Sequence, residues 1–115
     1  MTKSSFNDLM KELQVEYLAS FDEKVENIKT YYDGQDWESL ELEFHKLKGT
    51  GSTYGVPEVT SLFEILERVC RTTQNLDEQH LKGALLLLIK IRDKYLNGAP
   101  FDLASQEAFQ KIKAL

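Results

Sequence analysis

Apolar positions along the chain recur at intervals of three and four residues, the period of helices buried on one side, and short clusters of Gly, Asn, Asp and Pro interrupt them. The spacing predicts a first helix over about Ser5 to Ala19, with Phe6, Leu9, Met10, Leu13 and Tyr17 on one side. Ser20 followed by Glu23 has the spacing of a capping box, which starts a second helix. This one runs to about Tyr32, with Val25, Ile28, Tyr31 and Tyr32 as its apolar face. Asp33-Gly34-Gln35-Asp36 stops it and supplies a new N-cap, and a third helix follows from about Trp37 to Thr53. In the break Tyr54-Gly55-Val56-Pro57, Gly55 suits a left-handed C-cap and Pro57 the first turn of the next helix. The fourth helix, to about Thr73, presents Val59, Leu62, Phe63, Leu66 and Cys70. Asn75-Leu76-Asp77 breaks and caps again, and a fifth helix runs from about Glu78 to Leu96. Asn97-Gly98-Ala99-Pro100 ends it, and a short terminal helix covers about Leu103 to Lys113.

Consecutive amphipathic helices joined by loops of a few residues have one economical solution, an antiparallel up-down bundle. The expected fold is therefore all-α: a four-helix bundle with an extra N-terminal helix and a short C-terminal helix packed on it, forming one domain over residues 1–115. The segment Leu85 through Ile89 is apolar all round and needs burial on more than one side. Either the tail side chains Phe101, Phe109 and Ile112 cover the excess, or part of the run faces a partner or solvent.

Composition narrows the function. Hydrophobic residues at 42% and charged residues at 29% are close to the average for a globular protein. A formal charge of -5 leaves no basic footprint, so nucleic acid is not an expected partner. The single cysteine, Cys70, excludes an internal disulfide framework and suits a reducing compartment, where it serves as a small apolar core residue. The N-terminal segment is amphipathic rather than apolar, and the longest apolar run, Ala84 to Ile89, is far too short to span a membrane. The expectation is a cytoplasmic monomer that engages no membrane.

The third helix carries the candidate chemistry. At ~100° per residue, Trp37, Leu40, Phe44, Leu47 and Gly51 share one stripe and should face the interior. His45 then points away from that stripe by on the order of 125°, a surface histidine in a rigid mid-helix position. Its neighbours three and four positions away are Glu41, Leu42, Lys48 and Gly49. Leu42 is an apolar side chain almost opposite the core, and Gly49 costs ~1 kcal/mol relative to Ala inside a helix. A phosphoryl acceptor needs a nucleophilic nitrogen, which neutral imidazole offers at cellular pH. Phosphoryl transfer is governed by positioning and by charge on the equatorial oxygens, which Lys48 can stabilise. Gly49 removes bulk where a partner's loops must approach, and Leu42 contributes an apolar docking contact.

The run Phe44-His45-Lys46-Leu47-Lys48-Gly49-Thr50-Gly51-Ser52-Thr53-Tyr54-Gly55-Val56 resembles the signature of histidine phosphotransfer (HPt) domains of multistep phosphorelays. That signature has a histidine, a lysine three residues on, a glycine directly after it, small residues, and a second glycine ten positions past the histidine, here His45, Lys48, Gly49, Thr50-Gly51-Ser52 and Gly55. The resemblance covers roughly Glu16 to Leu96. It implies a four-helix bundle whose His45 takes a phosphoryl group from a receiver-domain aspartate and passes it to another, with Lys48 stabilising charge and Glu41, Leu42, Gly49 and Ser52 on the docking face. It implies response-regulator receivers, or a hybrid histidine kinase, as partners, with the assisting Mg²⁺ in the receiver and no cofactor in this chain. One departure is Phe44, where the family commonly has a small residue such as Ala; its core-facing direction makes this a packing change. In some members the following helix lends a polar residue to the phosphohistidine, and among Glu67, Arg68 and Arg71 the spacing does not choose.

The alternative reading is a helical interaction module that binds a receiver or another signalling partner without transferring phosphate. With no Walker-type glycine loop, the chain is expected to be a covalent carrier without kinase or ATPase activity. His80, near the start of the fifth helix beside Asp77 and Glu78, is expected in a partly exposed capping role. Two histidines and one cysteine at unrelated spacings give no metal signature, and the carboxylates are expected to be scattered over solvated faces.

Overall fold

A computed structural model describes residues 3–72 and 76–115, with side chains from residue 5 onward. Among the described residues there are six helices and no strands: α1 Lys3–Ala19, α2 Phe21–Asp33, α3 Trp37–Thr53, α4 Pro57–Thr72, α5 Glu78–Leu96 and α6 Glu107–Lys113. Helices α2 to α5 form the antiparallel up-down bundle, with α3 and α4 in the most extensive contact. None of these helices is long and apolar enough to cross a membrane.

The predicted apolar faces converge on one core. Ile28, Leu40, Phe44, Leu62, Phe63, Leu66, Leu88 and Ile91 are all fully buried. Phe44, the oversized residue before His45, sits 5.6 Å from the Phe63 ring and fills the space between α3 and α4. Gly51 lets those two helices meet, since a Cβ there would stand 2.6 Å from both the backbone nitrogen and Oγ1 of Thr60. Asp36 caps α3 by accepting from the Ser39 N–H at 3.2 Å, and Asp77 caps α5 through the His80 N–H at 2.8 Å. Gly55, at φ +76°, provides the left-handed turn after α3, and α4 opens on Pro57.

Several boundaries differ from the sequence expectation. The capping box at Ser20 and Glu23 does not form: Ser20 is helical and its hydroxyl donates back to the Tyr17 carbonyl at 2.6 Å, so the α1–α2 junction is nearly continuous. Helix α4 ends at Thr72; the expected end at Thr73, and Asn75 of the predicted break, lie outside the described residues. The last helix begins at Glu107 rather than Leu103, because Asp102 to Ser105 form a turn in which the Ser105 hydroxyl donates to the Asp102 carbonyl.

The two additions pack differently. Phe109 and Ile112 of α6 are buried and Phe101 is half-buried, with α6 lying against α5 and α4. Leu85, Leu87 and Leu88 are buried in the common core, whereas Leu86, in the groove beside Glu107, Ala108 and Lys111, stays 62% exposed, so part of the apolar run remains in solvent. Helix α1 is anchored through its C-terminal half. Tyr17 stacks on Tyr54 at 4.5 Å and its hydroxyl bonds Thr50 Oγ1 at 2.9 Å, while Gln14 donates to the Tyr54 carbonyl. Phe6, Leu9 and Met10, expected on a buried side, are exposed.

Candidate functional site

Helical phase puts His45 on the solvent side of α3, with its side chain 59% exposed. The ring is nonetheless fixed. Nδ1 lies 2.9 Å from Oε2 of Glu67, which reaches across from α4. Oε1 of the same carboxylate accepts from Lys48 Nζ at 3.1 Å and from Arg71 Nη2 at 3.0 Å. Arg71 Nε in turn donates to Glu41 Oε1 at 3.0 Å, closing a path back to α3.

Glu67 is the one charged residue in the buried core among the described residues, at 4% exposure. Burial by itself pushes its carboxyl upward in pKa. The hydrogen bonds and charges of Lys48 and His45 outweigh that, so the group is held below its ordinary 4.5 and is ionised at neutral pH. An ionised carboxylate only accepts hydrogen bonds, so the proton of the neutral imidazole sits on Nδ1. The lone pair is then on Nε2, which no described residue bonds. The local chemistry is an exposed, oriented nucleophilic nitrogen whose far side is backed by a buried anion.

The other predicted residues fall around this ring. Leu42 is 52% exposed, and a Cβ placed on Gly49 would meet nothing within 4 Å, so the notch beside His45 is open. Ser52 lies two turns on, its N–H donating to Thr60 Oγ1 at 2.8 Å and its hydroxyl to the same atom at 3.1 Å; Thr60 donates onward to the Lys48 carbonyl at 2.8 Å. Glu41 is on the same side of α3 and is tied to Arg71. Lys48 is ion-paired to Glu67 and about a third exposed.

Sequence reasoning left Glu67 unchosen among three polar residues and scattered the carboxylates over solvated faces; Glu67 departs from the second expectation. One signal was available. Glu67 lies between Leu66 and Val69-Cys70 on the apolar side of α4, a charged residue at the margin of a core stripe. Arg68, the neighbouring candidate, is exposed and makes no ion pair among the described residues.

The chain matches the Hpt domain family over residues 12–94, which takes in the C-terminal part of α1, all of α2 to α4 and most of α5 and leaves α6 outside. No curated protein and no solved structure gives a significant match. An all-helical bundle, an exposed histidine in the family's motif and a family match over most of the chain lead to one conclusion: the chain belongs to the Hpt domain family, whose general role is phosphotransfer in phosphorelay signalling.

Proposed function

We propose that His45 is the phosphorylated residue, taking a phosphoryl group from a receiver-domain aspartate and delivering it to another receiver. The observation that carries this reading is the 2.9 Å contact between Nδ1 and the buried Glu67 carboxylate, which leaves Nε2 as the attacking atom. In the forward step the Nε2 lone pair forms a bond to phosphorus, the bond between phosphorus and the aspartyl oxygen breaks, and the aspartate leaves as carboxylate. The proton stays on Nδ1 and the ring becomes a cation, which Glu67 stabilises at close range. Return to a second receiver reverses each change.

Lys48 acts on the phosphoryl oxygens by exchanging its contact with Glu67 for one with the incoming group, a move that a flexible ammonium stem permits. Leu42, the open notch at Gly49 and Ser52 form the docking face, with Glu41 at its edge. The Mg²⁺ that assists the chemistry belongs to the receiver, and this chain contributes no nucleotide site. Receivers, alone or within a hybrid histidine kinase, are its partners.

The test is to incubate the purified chain with phosphorylated receivers and measure acid-labile, alkali-stable phosphate on it. Wild type should label and His45→Gln should not. Equal labelling of the two, or none across a panel of receivers, overturns the reading and leaves a binding module without transfer.

A further inference from the structure

We infer that Arg71, braced by Glu41, is a positioning residue that keeps Glu67 aimed at His45 while Lys48 is occupied with the phosphoryl group. This rests on the reading of His45 as the carrier. It starts from a conflict in that reading: Lys48 is asked to stabilise a transferring group, yet in the resting structure it holds Glu67. If Lys48 were the sole cation on that carboxylate, its departure would leave a buried anion uncompensated beside an arriving phosphate. Such a group takes up a proton or turns away, and either change removes the acceptor that fixes Nδ1–H.

The geometry supplies a second cation on the same oxygen. Glu67 Oε1 accepts from Arg71 Nη2 at 3.0 Å alongside Lys48. Arg71 is held from its other edge, Nε to Glu41 Oε1 at 3.0 Å. The four residues close a parallelogram whose sides are two helical steps of four residues, Glu41 to His45 on α3 and Glu67 to Arg71 on α4, and whose ends are the two cross-helix contacts. A planar guanidinium engaged on two edges cannot swing to the phosphoryl group without breaking both bonds, whereas the lysine ammonium can leave by breaking one. The two cations therefore divide the work: Arg71 stays and Lys48 moves.

The experiment uses the tautomer of His45, which is readable without phosphate. Protein with ¹⁵N-labelled histidine is examined by long-range ¹H–¹⁵N correlation at a pH where the ring is neutral. Wild type, Lys48→Ala, Arg71→Ala and the double variant are compared after their helicity is matched by circular dichroism. The Nδ1–H form should persist in Lys48→Ala, because Arg71 remains. In the double variant the ratio of Nδ1–H to Nε2–H should fall on the order of tenfold relative to Lys48→Ala, the size of weakening one charge-assisted hydrogen bond. In the Lys48→Ala background, Glu41→Gln should preserve the ratio through its amide oxygen, and Glu41→Ala should lower it. Equal ratios in Lys48→Ala and the double variant overturn the proposal. With a phosphorylated receiver as donor, Arg71→Ala should lower the maximal transfer rate and leave half-saturation within about twofold; a change confined to half-saturation makes Arg71 a docking residue and also overturns it. Failure of the carrier reading itself appears separately, as absence of His45-dependent label in wild type.

Discussion

The chain holds two histidines, and in each Nδ1 faces a carboxylate oxygen: His45 meets Glu67 at 2.9 Å and His80 meets Asp77 at 2.7 Å. The resemblance ends there. Asp77 is three residues from His80, its side chain is 60% exposed, and the oxygen that touches the ring also caps α5. Glu67 is 22 residues from His45, its side chain is 5% exposed, and two further cations hold it. Exposure of the rings is reversed as well, 59% for His45 against 26% for His80. A histidine beside a carboxylate is thus a common product of helix capping and not in itself a phosphoryl-transfer site. The site proposed for phosphoryl transfer differs in burying the anion while exposing the imidazole. That arrangement orients the ring and strengthens the pair in a medium of low dielectric while leaving the second nitrogen free to react.

The largest predicted effect separates the two rings directly. His45→Gln should abolish the acid-labile label, while His80→Gln should leave the transfer rate within about twofold; comparable loss in both would erase the comparison. Next is the carboxylate. Glu67→Ala should slow transfer by about 10- to 100-fold, the consequence of losing one charge-assisted hydrogen bond to the reacting ring. Asp77→Ala should leave transfer unchanged and lower only the thermal midpoint, through loss of the α5 cap.

Glycine substitutions sharpen the comparison by separating what builds the His45 site from what merely borders it. Gly51→Ala forces a Cβ into Thr60 and should cost about 1–3 kcal/mol in urea unfolding, with slower transfer because α4 carries Glu67 away from His45. Gly49→Ala meets nothing and should stabilise the fold by up to ~1 kcal/mol, while slowing transfer by crowding the receiver. Equal stability changes at the two positions would contradict the packing described here.

The smallest effect is in acid. Glu67 has its pKa lowered from 4.5, against the opposing pull of burial, so in the folded state it binds fewer protons than in the unfolded state over that window. Its contribution to stability is therefore complete above the unfolded value and is lost as pH falls through the folded one. Asp77 is lowered from 3.8, chiefly by the His80 backbone N–H, and follows the same sign with a window that opens at lower pH. Between about pH 6 and pH 3, Glu67→Gln should flatten the decline in unfolding midpoint earlier than Asp77→Asn does.

Sequence periodicity located α3 and α5 to the residue, and phase alone put His45 outside and Phe44 inside. Those features are local: helical geometry turns residue spacing into direction with no knowledge of neighbours. Capping residues read well where the side chain accepts from a backbone N–H three positions on, as at Asp36 and Asp77. The reading failed at Ser20, where the two helices run almost continuously and the hydroxyl turned back to Tyr17. The apolar stripe of α1 was visible, but its burial was not, because burial depends on whether another element arrives to cover it.

The motif around His45 was thus determined by the sequence, together with the helix that displays it. What only the tertiary structure decided is which α4 residue answers the imidazole. Glu67, Arg68 and Arg71 differ by a rotation about α4, and the choice among them follows from how α3 and α4 seat on each other where Gly51 admits Thr60. That seating is a sum of many weak side-chain contacts across 22 residues of separation, and no short stretch of chain contains it.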